Sequence, residues 1–90
     1  MSSVKIEKLS KEEIEKRGIL KWSIWTKEIS RFDYYYDSTE QCQILEGEVT
    51  VETNEGNYTI KAGDFVTFNK GLKCVWDVAK PIRKHYKFDS

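Results

Sequence analysis

The chain has one proline, one histidine and two cysteines in 90 residues. Each shortage excludes something. Two cysteines, Cys42 and Cys74, are too few and too widely spaced for a disulfide framework or a four-ligand zinc site. Both are expected as reduced, buried thiols. No segment approaches the roughly 20 apolar residues that a transmembrane helix needs, so no membrane association is expected. Neither sign of charge is in excess: Lys plus Arg is 15, Asp plus Glu is 15, and the formal net charge is zero. With no basic run either, the electrostatic footprint of a nucleic-acid partner is missing. The opening MSSVKIEKLSKEEIEKRG has no apolar stretch of the kind a secretory signal carries, and the expectation is a cytoplasmic protein.

Aromatic residues are plentiful instead, at 13% of the chain with three Trp and five Tyr. A chain of this length supports one domain, taken as residues 1–90, with a modest core. Large aromatic side chains therefore carry much of its burial.

One helix is written plainly. Ser10 followed by Glu13 forms a capping box, Leu9 and Ile14 stand where a hydrophobic staple would place them, and Gly18 suits the end. This predicts a helix over Lys11–Arg17. From Lys21 the pattern favours strands. Trp22, Ile24 and Thr26 fall on one side of an extended stretch and Trp25 on the other. Residues 32–36 are aromatic and extended. Residues 41–53 alternate with a break at Gly47: Cys42 and Ile44 before it, Val49 and Val51 after it. Asn54–Asn57 is a hairpin turn, Tyr58 and Ile60 alternate, and turns follow at Ala62–Asp64 and Asn69–Gly71. Residues 65–68 and 73–78 are strands, the second with Cys74, Trp76 and Val78 on one face. Pro81 marks a break before a last strand over 82–88. Turns about every ten residues and a single helix predict a mainly β, antiparallel sandwich or barrel.

Two stretches carry a more specific resemblance. "EQCQILEGEVTV" and, about fifteen residues on, "KAGDFVTFNKGLKCVWDV" resemble the paired motifs of the cupins. Glu40 precedes Gly47 with the spacing of the first motif, and Gly63 precedes Gly71 with that of the second. The resemblance implies a small antiparallel β-barrel or jelly roll with one short N-terminal helix. Within the cupins, "WSIW", "YDSTEQCQILEG", "KGLKCVW" and "KHY" resemble the ureidoglycine aminohydrolase-type domains.

Cupins of this kind usually hold a metal with two His and a Glu from the first motif and a His from the second. Here the first-motif positions become Tyr34 and Tyr36 with one spacing, or Asp33 and Tyr35 with the other. Glu40 is kept and the second-motif His becomes Cys74. A phenol with a pKa near 10 is a poor ligand for Zn or Mn. No metal site and no cofactor are assigned, and a divalent metal is disfavoured. Strand parity leaves a Glu40–Cys42–Cys74 ligand set open, and a set of Glu40, a cysteine and His85 is the other arrangement weighed.

The expectation is a cup inside the barrel, with apolar walls and a few fixed polar groups. Glu40 and Cys74 are the candidates for chemistry: a carboxylate as acid or base, a thiol as nucleophile. Tyr34, Tyr36, Cys42, Trp76 and His85 are the candidates for ligand contact. A bland alternative stands beside each. Glu40 as a structural hydrogen-bond acceptor, the tyrosines as packing with wet hydroxyls, and the cysteines as small hydrophobes explain the same residues. The functions weighed are small-molecule binding without the usual His metal site, an enzyme of nitrogen or ureide metabolism, and an interaction module that dimerises through its sheet edges. The first is the reading adopted.

Overall fold

Two long alternating strands carry the fold in the computed structural model, which describes residues 3–89. They are β4 (Thr39–Thr53) and β7 (Lys73–Asp89), which pair antiparallel from Thr39↔Asp89 to Glu52↔Val75. The other strands are β1 (Val4–Lys8), β2 (Ser23–Lys27), β3 (Ser30–Tyr35), β5 (Gly56–Lys61) and β6 (Asp64–Phe68). One end of the β4–β7 pair is extended by β6 and β1 on one side and β2 on the other; the opposite end is extended by β5 and β3. The result is an antiparallel sandwich whose two layers share β4 and β7. Phe68 of one layer meets Trp76 of the other at 5.7 Å between ring centroids.

Neither Gly47 nor Pro81 breaks its strand, contrary to the sequence expectation. They face each other at a bulge, where the β4–β7 register shifts between Ile44 and Val49. Gly47 has φ of 99°, and a Cβ there would lie 2.1 Å from the Pro81 carbonyl oxygen. Only glycine allows that approach. Pro81 lacks an N–H, and the disturbed ladder at the bulge tolerates the loss. The shift swaps the buried face of β4 from Glu40, Cys42 and Ile44 to Val49 and Val51. On β7 Cys74, Trp76 and Val78 are buried before the bulge, Lys80 is exposed at it, and Ile82 and Lys84 are buried after it, so the inward side chains on both sides of the bulge are even-numbered.

Between β1 and β2 lie α1 (Lys11–Lys16) and a 3-10 turn, Ile19–Lys21, which the sequence reading did not anticipate. Ser10 caps α1 as expected, its hydroxyl accepting from the Glu13 N–H at 3.1 Å, and Gly18 turns left-handed with φ of 69°. The turn buries Ile19 completely and sets Trp22 against Phe65 on the outside of the first layer. In β2 the inward residue is Trp25, opposite Lys84, and Ile24 is exposed. No helix among the described residues is long and apolar enough to cross a membrane.

Candidate functional site

Glu40 on β4 and Lys84 on β7 project into the space between the layers, where both are buried at 3% and 4% exposure. The Lys84 ammonium donates to both Glu40 oxygens at 3.2 Å. It also lies under two indoles, 4.8 Å from the ring centre of Trp25 and 4.6 Å from that of Trp76. An unpaired charge here would be costly, and the carboxylate, the indole faces and the ammonium stabilise one another.

A chain of hydrogen bonds steadies the carboxylate. The Trp76 indole N–H donates to the Tyr36 hydroxyl oxygen at 3.2 Å, and Tyr36 in turn bonds to Glu40. Burial holds the Tyr36 phenol well above its ordinary pKa, with the nearby Glu40 charge adding to the effect. Tyr36 is therefore a neutral donor. Glu40 itself is pushed above the usual carboxylate value by burial, against the opposing pull of Lys84 and Tyr36.

Above this floor opens a cup of about 130 Å³, lined by Trp25, Phe32, Tyr34, Trp76, Tyr86 and Phe88 as well as the floor residues. Phe32 stacks on Trp76 at 6.1 Å and Trp25 meets it edge-on at 5.8 Å. Tyr34, edge-on to Tyr36 at 4.6 Å, and Phe88 form a rim that is 40% and 41% exposed.

Of the residues singled out in the sequence, Tyr34, Tyr36, Glu40 and Trp76 come together around the cup. Tyr34 and Tyr36 line the cup and Asp33 and Tyr35 do not, so the shorter first-motif spacing is the one the structure follows. Three candidates lie elsewhere. Cys42 is fully buried in the core, and burial pushes its thiol up to about 12. Cys74 lies beside the cup, its sulfur 3.5 Å from the Tyr34 carbonyl, with a thiol that burial raises to about 11. His85 points to the opposite face of β7, where its Nδ1–H donates to the Trp22 carbonyl at 3.0 Å. Strand alternation is the reason: Lys84 faces the cup, so His85 faces the other side of the sheet, where it too is buried. Lys84 was not singled out, although a buried carboxylate calls for a cation.

This donor set does not fit a divalent metal. Both oxygens of Glu40 are taken by an ammonium, Tyr36 is a neutral phenol, and Cys42 and Cys74 are neutral thiols. Among the described residues no three His, Cys, Asp or Glu side chains cluster as metal ligands do. The Glu40–Cys42–Cys74 arrangement is not formed.

The model of the EutQ-like cupin domain matches residues 14–86. A DUF861 family protein from Thermotoga maritima is 53% identical, with a TM-score of 0.92 over 96% of this chain and 99% of that one. A DUF861 family protein from Pseudomonas syringae has 20% identity and a TM-score of 0.68, covering 98% of this chain and 32% of its own. A candidate ethanolamine utilization protein Q from Salmonella typhimurium has 22% identity and a TM-score of 0.66, covering 94% and 68%. These last two share the fold. No curated protein matches the chain. With a family model matching residues 14–86 and a 53% identical relative over nearly the whole length, the chain belongs to the EutQ-like cupin domain family.

Proposed function

We propose that the aromatic cup binds a small planar molecule about the size of one ring, uncharged overall and carrying a polar group at one end. The observation behind this reading is the Glu40–Lys84 pair on the floor of a cup with apolar walls. An apolar cavity of about 150 Å³ accepts benzene, which sets the scale for a cup of about 130 Å³. The pair offers an acceptor and a donor side by side with no net charge. A neutral ligand keeps that balance, whereas an ion would leave one charge uncompensated among apolar walls.

The finer resemblance, to ureidoglycine aminohydrolase-type domains, suggests an enzyme of nitrogen or ureide metabolism. That chemistry in the resembled domains uses a bound metal, and the donors around Glu40 speak against it here.

The test is a titration with benzyl alcohol and benzamide, followed by the indole N–H signals in nitrogen-15 spectra. Trp25 and Trp76 line the cup, while Trp22 packs outside it against Phe65 and serves as an internal control. Saturable shifts of Trp25 and Trp76 alone are expected, with a Kd of about a millimolar for so few atoms. Equal shifts at all three indoles, or none, would refute the reading.

A further inference from the structure

Among the described residues Lys84 is the one buried lysine. Its amine stands on the floor of the cup, within reach of whatever enters it. A lysine in an apolar pocket is a common nucleophile toward carbonyl carbon, provided its ammonium has somewhere to leave a proton. Glu40 touches it with both oxygens at 3.2 Å. The two cysteines offer no rival: Cys42 is sealed in the core and Cys74 lies beside the cup.

We infer that Lys84 captures small aldehydes or ketones as an imine, with Glu40 carrying the proton. The inference rests on the reading of the cup as a small-molecule site. The Glu40 carboxylate takes one proton from the ammonium. The freed amine lone pair forms the C–N bond, and the carbonyl π pair moves onto oxygen. After a proton passes from nitrogen to that oxygen, Glu40 returns its proton, the oxygen leaves as water, and the nitrogen lone pair forms C=N. Ammonium plus carbonyl becomes iminium plus water, and neither an oxidant nor a reductant is consumed.

The surroundings suit the product as well as the starting state. The iminium keeps a single positive charge on the same nitrogen, so Glu40 remains its counter-ion. The indoles of Trp25 and Trp76 lie over that nitrogen and stabilise the cation in both forms. The apolar walls limit the water that would hydrolyse it.

The test is reductive trapping with benzaldehyde and sodium cyanoborohydride near pH 7, read by peptide mass mapping. The exposed lysines of the same chain are internal controls. Lys84 is expected to carry the benzyl mark at about ten times the yield of any exposed lysine or more, because the cup holds the aldehyde against it. Excess benzyl alcohol, which fills the cup but forms no imine, should suppress the mark at Lys84 and leave the exposed lysines unchanged. If benzyl alcohol shifts Trp25 and Trp76 yet Lys84 is unmarked, imine capture is overturned and the binding site stands. If neither binding nor marking occurs, both readings fall.

Discussion

At the scale of the residue, the Glu40–Lys84 pair makes a test of burial against pairing. Truncating Lys84 to Met leaves a carboxylate alone between the layers and is expected to cost about 3–5 kcal/mol. The double change Glu40→Leu with Lys84→Met removes both charges and is expected to recover most of that loss. Urea unfolding of the two variants and wild type reads the difference. A double variant as unstable as the single one would show that the pair itself, not the orphaned charge, holds the layers together.

The pH dependence of the same pair follows from the direction of the Glu40 shift. Its carboxyl has a higher pKa folded than the ordinary 4.5, chiefly because burial penalises the charged form. The folded state therefore binds more proton than the unfolded state in the window that opens near 4.5. Glu40's contribution is fully present below that window and is lost as pH rises through the folded pKa. Relative to Glu40→Gln, which does not titrate there, wild type should lose stability across that rise. Thermal melts of both from pH 4 to pH 7 measure it; a difference that grows in wild type's favour would contradict the assigned direction.

Glu40 was legible because it stands at a fixed spacing from Gly47. Lys84 was not, because Arg83, Lys84 and His85 run together and look like a solvated edge. The missing signal was parity. The inward parity of Cys74, Trp76 and Val78 is interrupted by the exposed Lys80 at the bulge but resumes on the same even numbers at Ile82 and Lys84. Treating Pro81 as a strand end cut that count, and attention fell on His85 for its chemistry alone.

At the scale of the element, the bulge decides which side chains form the cup. Without the register shift near Gly47, β4 would present Gln43 or Glu48 where the core needs apolar groups. Gly47→Ala combines a strained positive φ of 99° with a Cβ 2.1 Å from the Pro81 carbonyl oxygen. The expected loss is about 3 kcal/mol or more. By contrast Ser10→Ala removes one exposed cap from a short helix and should cost about 1 kcal/mol. Paired urea melts rank the two, and equal losses would mean that the bulge relaxes around the added methyl. The helix was readable because caps are local. The bulge was not, because the clash that demands glycine comes from a strand that is 34 residues away by number, at Pro81.

At the scale of the whole molecule, β4 and β7 belong to both layers, so neither layer can open without disturbing the pair that builds the other. Pairings such as Glu40↔Phe88 join distant parts of the chain, an arrangement that makes folding slow rather than local. Cys42 gives a direct probe of this coupling. It is fully buried on β4 between β6 and β7, and as a neutral thiol it reacts only once exposed. In a Cys74→Ser background, thiol labelling of Cys42 should therefore require global unfolding. The labelling free energy is expected to fall with urea at the same slope as the equilibrium transition, about 1 kcal/mol per molar for a chain of this size. A shallower slope would mean that the layer of β1, β6 and β2 opens by itself. In that case the cup could admit ligands by separation of its layers rather than past the rim of Tyr34 and Phe88.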